Sequence, residues 1–264
     1  MYSFAYHRPA SAAEAETLAK KASDARFLAG GMTLLPALKL RLAQASDVID
    51  LSRIPDLKGI SVTGSEVRIG AMTPHAAVAA SPQVRKAIPA LADLAGSIGD
   101  PQVRNRGTIG GSLANSDPAA DYPAAVLALN ATIHTSRRTV PADSFFKGLF
   151  ETALEPGELI TAVSFPIPRG SAYQKFPHPA SRYAVVGVFV ARTAGGVRVG
   201  VTGAGPCAFR ATAFETALSK SFSPDALKGL SIPATGLNSD IHAAADYRAH
   251  LIGILARRAV AAAA

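Results

Sequence analysis

The sequence twice sets a pair of adjacent glycines just ahead of a helical pattern, in LAGGMTLLP (Leu28 to Pro36) and in TIGGSLANSDP (Thr108 to Pro118). No other feature constrains the fold as much. A residue without a side chain lets another backbone or a ligand approach closely, and positive φ angles turn successive N–H groups toward a single anion. The helix behind each pair adds a partial positive charge, worth about 0.3–1 kcal/mol to an anion at an exposed site. An isolated glycine pair is ordinarily a tight turn. Two pairs eighty residues apart, both beside small hydroxyl residues, suit a ligand whose diphosphate is gripped from two sides. Thr108, Ser112 and Asn115 add hydroxyl and amide groups to the second pair.

The surrounding pattern is α+β. Ser11 and Glu14 have capping-box spacing before an alanine-rich helix, RFLA is a short strand, and Thr33 stands where it would cap a helix that tolerates Pro36 near its start. DVIDL, LKGISV and EVRIGA are short β-rich runs that suit small mixed sheets. Thr73-Pro74 opens a helix, and a longer apolar-periodic stretch runs from Gln83 to Ile98. YPAAVLALN reads as a helix, ATIHT and RTVPA as paired strands, and ELITAVSFP as the close of the lobe. From Tyr173 onward the chain reads as an antiparallel sheet with a Gly195-Gly196 hairpin. Two helices finish it, the last with an apolar stripe through Ile241, Ala244, Ala245, Arg248, Leu251 and Leu255. Pro, Arg and Gly between Pro168 and Ser171 mark a boundary, giving domains 1–170 and 171–264.

Several function classes are disfavoured. With 48% hydrophobic and 17% charged residues the chain is too apolar for disorder, and it has no run of about 18 apolar residues that would span a bilayer. The start lacks an export signal, which points to the cytoplasm. Cys207 is the only cysteine, so an iron–sulfur cluster must sit on a partner. The net charge of +8 is spread along a chain without Trp, so nucleic acid is not an expected partner. His7, His75, His134, His178, His242 and His250 lack metal-ligand spacing and are assigned surface or capping roles; no metal site is expected. There is no P-loop. GAGPCA, Gly203 to Ala208, fits a dinucleotide fingerprint but follows a hairpin strand and carries Pro206, so it reads as a structural turn.

FLAGGMTLLPALKLRLAQASDVIDLSRIPDLKGI, IGAMTPHAAV, IGDPQVRNRGTIGGSLANSDPAADYPAA, EPGELITAVSFP and YQKFPHPASRYAVVGV, in that order, resemble the FAD-binding medium subunit of the carbon monoxide dehydrogenase and xanthine dehydrogenase family of molybdenum hydroxylases. The resemblance runs almost end to end. It implies a PCMH-type FAD-binding lobe of two α+β subdomains, followed by a small C-terminal antiparallel sheet plus helices. Ala29, Gly30, Gly31, Met32, Thr33 and Leu34, with Thr108, Ile109, Gly110, Gly111 and Ser112, match the family's two loops around the FAD diphosphate and ribityl chain. Asp121 matches a carboxylate near the flavin chain, although its spacing also permits a helix N-cap. Ile98 and Ile160 match positions beside the ring system, or else belong to the core. Lys175 matches a lysine close to the flavin, where a cation raises its potential; otherwise it is a surface lysine. Met32 and Ser112 depart from the family pattern, which leaves backbone contacts there but not side-chain ones. His178 and Pro179 lie in a segment near the exposed flavin edge and are less basic than usual, so acceptor preference does not carry over.

The function implied is electron transfer. A large molybdenum-cofactor subunit oxidises the substrate, a small subunit carries two 2Fe–2S clusters, and the FAD of this chain passes the electrons to an external acceptor, in a dimer of heterotrimers. Two other classes compete: a stand-alone flavoenzyme of the same fold, acting as a reductase or oxidase, and a non-enzymatic nucleotide-binding module.

Overall fold

The computed structural model describes residues 1–263. The chain begins with β1 (Ala5–His7), α1 (Ala12–Lys21), β2 (Ala25–Leu28), α2 (Leu34–Lys39) and β3 (Asp47–Asp50). The strands form a parallel sheet in the order β1-β3-β2, with β1 unannounced by the sequence pattern. The serine half of the capping box forms as expected, with Ser11 Oγ accepting the Glu14 N–H at 3.2 Å, whereas Glu14 Oε2 accepts the N–H of Ala10, one residue before the cap, at 2.8 Å. The first glycine pair is the β2–α2 turn.

The next unit holds β4 (Ile60–Thr63), β5 (Glu66–Gly70), six short helices, then β6 (Thr132–Thr135), β7 (Thr139–Pro141), β8 (Phe146–Gly148), β9 (Glu151–Thr152) and β10 (Ile160–Pro166). The helices are α3 (His75–Ala80), α4 (Pro82–Ala87), α5 (Pro89–Gly96), α6 (Pro101–Arg106), α7 (Ile109–Asn115) and α8 (Tyr122–Ala128). Five strands pair antiparallel in the order β4-β5-β10-β6-β7, with the closing strand at the centre. The expected mixed sheets are therefore each of one kind. The stretch from Gln83 to Ile98 is also two helices rather than one. Pro89 has no N–H to donate and drives Ile88 out of helical angles, to φ −141° and ψ 75°.

The last unit is β11 (Gly170–Pro177), β12 (Ala184–Thr193), β13 (Gly196–Thr202), β14 (Phe209–Arg210), α9 (Thr212–Lys220) and α10 (Ala245–Ala262). Its four strands pair antiparallel in chain order. YAVVGVFVAR is almost continuously apolar because β12 is covered on both faces. Val186, Val188 and Val190 pack toward α9 and α10, whereas Phe189 and Ala191 join the core of the preceding unit. The seam is tight: Thr202 Oγ1 donates to the Ala120 carbonyl at 2.5 Å, and a Cβ on Gly200 would stand 2.2 Å from the Ala124 carbonyl oxygen of α8.

One expectation needs correction here. Ile241 is outside the final helix and 96% exposed, because Asp240 folds the preceding chain by accepting the His242 and Ala243 amides. Arg248 does belong to the buried face, where its guanidinium donates to the Val185 and Gly203 carbonyls and to Asp240. GAGPCA is a structural turn, with Gly203 at φ +81° and its N–H donated to the Pro118 carbonyl. No described helix is long and apolar enough to cross a membrane.

Candidate functional site

A cavity of about 490 Å³ lies where the three units meet, with both glycine bends in its wall. Of the expected residues it brings together Ala29 to Leu34, Ile98, Thr108, Gly110, Gly111, Ser112, Asp121 and Ile160. Ile109 and Lys175 do not line it. Ile109 is fully buried in the hydrophobic core, facing away from the cavity with the inner side of α7.

In the first bend none of the amides of residues 30–34 donates to another described residue. Gly31 has φ +78°, the left-handed angle that only glycine adopts freely. Gly30 is required by contact: a Cβ there would be 2.0 Å from the Arg106 carbonyl oxygen. Thr33 occupies the N-cap position of α2 but makes no cap bond, contrary to expectation, since its backbone is already helical (φ −108°, ψ −49°). Its hydroxyl is uncommitted.

The second bend departs from the anion-nest expectation. Its amides are used internally: Ile109 N–H donates to the Thr73 carbonyl at 3.2 Å, Gly110 N–H to the Ala71 carbonyl at 2.8 Å, and Ser112 N–H to the Thr108 carbonyl at 3.0 Å. Gly111 N–H donates to Thr108 Oγ1 at 3.1 Å, an N-cap in the strict sense. Neither glycine has positive φ. Gly110 is there because a Cβ would meet Ala71 at 2.5 Å, and Gly111 because a Cβ would come within 3.2 Å of Ala29 Cβ in the first bend. The two bends touch.

Asp121 is buried at the start of α8 without capping it. Its carboxylate accepts the Tyr173 hydroxyl at 2.5 Å and the Lys175 ammonium at 2.9 Å, both from β11. Burial raises the Asp121 carboxyl above its ordinary range, opposed by Lys175 and by the Tyr173 hydrogen bond. Lys175 is no surface lysine, for its side chain is 8% exposed and also donates to the Ser97 carbonyl. It lies behind Asp121, the member of the pair that lines the cavity, and balances its charge. Ile98 is held by Arg104, whose Nη1 donates to the Ile98 and Gly99 carbonyls at 3.0 Å each.

His75 and Glu158 also line the cavity, and both escape the sequence reading. His75 is buried instead of superficial; burial, with the nearby Arg104 charge, pushes its pKa down to about 4, so the ring is neutral. Its Nδ1 has no protein partner, nor does the hydroxyl of Tyr122, whose ring centroid lies 5.3 Å away. The i, i+3 spacing of His75 with Val78 on α3 was the available signal, since both are buried. Glu158 is buried, which by itself raises a carboxyl, but the Arg138 guanidinium, the Thr135 hydroxyl and the Glu155 amide hold its pKa at about 2. Among the described residues no group of three His, Cys, Asp or Glu is placed to hold a metal ion.

These features fit a nucleotide cofactor: an open run of amides, a glycine cradle that a Cβ would fill, and the unpartnered Nδ1 of His75 in one cavity. Residues 2–168 match the model of the FAD binding domain in molybdopterin dehydrogenase. The carbon monoxide dehydrogenase medium chain of Hydrogenophaga pseudoflava is 39% identical, covering 98% of this chain and 96% of its own length. The nicotine 6-hydroxylase medium subunit of Paenarthrobacter nicotinovorans is 38% identical over 97% of this chain and 95% of its own. Among solved structures, carbon monoxide dehydrogenase from Hydrogenophaga pseudoflava superimposes with a TM-score of 0.90 at 40% identity, over 99% of this chain and 97% of that one. Quinoline 2-oxidoreductase from Pseudomonas putida 86 gives 0.89 at 31% identity, with the same coverage. The α+β architecture, a PCMH-type lobe followed by an antiparallel sheet and helices, is the expected one, and FAD is the cofactor. This chain belongs to the family of FAD-binding medium subunits of the molybdenum hydroxylases, as an oxidoreductase subunit.

Proposed function

We propose that this chain holds FAD across the two bends and relays electrons, received from 2Fe–2S clusters on a small partner subunit after a molybdenum-bearing large subunit has oxidised substrate, to an external acceptor. The observation that carries the reading is the run of free amides at Gly30 to Leu34 in the wall of a cavity that Gly111, Ser112 and Asp121 complete. Those amides and the Thr33 hydroxyl bind the diphosphate, the second bend supplies a close-fitting wall, and Ile98 and Ile160 flank the ring system. Asp121 accepts from the ribityl hydroxyls, with Lys175 and Tyr173 favouring its charged form against the effect of burial. When bound, FAD supplies the exchange of one or two electrons; the protein binds it, orients it and sets its potential. Lys175, behind Asp121, balances the carboxylate charge at the cavity wall.

The relatives named as medium chains support a heterotrimer, and we propose a dimer of such trimers in the cytoplasm. We divide the chain at 170/171, two residues past the end of the family match and just after the first residue of β11. The test is co-purification with the neighbouring subunits, followed by flavin, iron and molybdenum analysis and stopped-flow absorbance. FAD that bleaches on substrate addition only when the cluster subunit is present is expected. Bleaching by a small substrate in the isolated chain would overturn the relay in favour of a self-sufficient flavoenzyme.

A further inference from the structure

Gly187 stands in the middle of β12, inside the apolar run YAVVGVFVAR, where a glycine weakens a strand and ordinarily marks a close approach. Its φ is not positive, so backbone freedom is not what it supplies. It supplies room for Tyr173. Across β11 and β12, Tyr173 pairs with Phe189 and Lys175 with Gly187; a Cβ on Gly187 would overlap the Tyr173 hydroxyl and stand 2.9 Å from Thr202 Cγ2 of β13. The missing side chain lets the phenol lean diagonally across the sheet, with its ring stacked on Phe189 at a centroid distance of 6.1 Å.

The hydroxyl ends on Asp121, at the start of α8. Tyr173 and Lys175, two residues apart on β11, share one face of the strand and hold the carboxylate together. Oδ1 accepts the hydroxyl at 2.5 Å and the ammonium at 2.9 Å, and Oδ2 accepts the ammonium at 3.0 Å. Oδ2 therefore keeps the larger acceptor capacity in a carboxylate that lines the cavity. The groups around the pair do not replace this grip. Tyr122 on α8 and Tyr183 in the cavity lining keep neutral hydroxyls, since burial raises both above the ordinary tyrosine range, and His75 on α3 is neutral as well. Arg182 is engaged by the Gly99 carbonyl at 3.3 Å, and Asp117 lies in the wall that the cavity shares with a second one, of about 500 Å³, beside it.

We propose that Tyr173 is a positioning residue for the flavin cofactor that acts through Asp121: its hydroxyl, admitted by Gly187, fixes the carboxylate opposite Lys175 in the orientation that takes the ribityl hydroxyls, an inference that rests on the FAD reading above. Removal of the hydroxyl has an effect that loss of packing lacks. Burial then acts on Asp121 against one opposing contact fewer, so the carboxyl takes a proton at higher pH. Protonation takes a negative charge out of the cavity wall, which favours the electron-rich reduced flavin.

The test uses the purified FAD-loaded complex with Tyr173→Phe. FAD, followed by flavin fluorescence on titration, should bind at least about fivefold more weakly. The flavin midpoint potential should follow the wild-type course at alkaline pH and rise above it as pH falls. In an Asp121→Asn background the same substitution should leave that pH course unchanged and the FAD affinity within about twofold. Gly187→Ala should also weaken FAD, and Tyr173→Phe should restore part of the thermal stability that Gly187→Ala loses, because the overlapped oxygen is gone. An unchanged pH course in Tyr173→Phe, whether or not FAD binds more weakly, or a full further loss of affinity in the Asp121→Asn background, would overturn the assignment. A wild-type complex that takes up no FAD would overturn the flavin reading itself, before any variant is compared.

Discussion

The first glycine bend leaves the amides of residues 30–34 without protein acceptors and its threonine uncapping; the second has Ile109, Gly110 and Gly111 each bonded to a specific oxygen and Thr108 capping α7. The difference follows from burial. Residues 107–110 are buried, and an unpaired buried amide costs about 1–3 kcal/mol, so their partners are built in. Residues 30–34 are half-buried or exposed and can keep their donors for water or a ligand. The same Gly-Gly-plus-hydroxyl pattern therefore serves two purposes: presentation of donors in one bend and close approach of backbones in the other.

Substitutions should separate these purposes. Gly30→Ala is expected to do the most harm, because its Cβ, 2.0 Å from the Arg106 carbonyl oxygen, forces the bends apart. Urea unfolding should register a loss of about 3 kcal/mol or more, with FAD lost as well. Next, Gly110→Ala, clashing with Ala71, should lower the stability of the FAD-free and FAD-loaded chain alike. Gly31→Ala, at φ +78°, should cost the FAD-free chain only about 1–2 kcal/mol yet release most of the flavin. Equal flavin retention in these two variants would erase the distinction between the bends.

His75 probes the second bend through pH, since its backbone N–H donates to the Gly107 carbonyl at 2.9 Å. With the folded pKa at about 4 against an ordinary 6.5, the unfolded chain binds the extra proton between those values. Stability is complete above the unfolded pKa and falls as pH drops toward 4, by up to about 3 kcal/mol in all. Unfolding midpoints for His75→Gln should lack that slope. The smallest contrast compares the threonines. Thr108→Val removes a real cap and should cost about 1 kcal/mol. Thr33→Val should shift the FAD-free chain by less than about 0.5 kcal/mol and show itself only in flavin affinity.

Much of the site was legible. Thirteen of the residues singled out in advance line one cavity, because glycine pairs, hydroxyls and a helix start are local signals that survive folding. Glycine alone, however, does not say whether a ligand or a neighbouring backbone fills the space beside it. Lys175 shows the same limit: on a strand it reads as a surface cation, and only the docking of β11 against α8 turns it into the buried partner of Asp121. His75 was passed over because its spacing offers no metal set, whereas its burial depends on helices packed around it from elsewhere in the chain.

By itself the sequence determined the α+β character, the capping box at Ser11, the hairpin at Gly195-Gly196, the missing cluster ligands and the family, all of which rest on neighbours in the chain or on residue counts. The tertiary structure alone decided which bend keeps its amides free, that the lysine is paired with the cavity-lining carboxylate and that a second cavity opens beside the first. Hydrogen bonds such as Gly110 to Ala71 and Lys175 to Asp121 join segments far apart in sequence, and only packing can assign a donor to a distant acceptor.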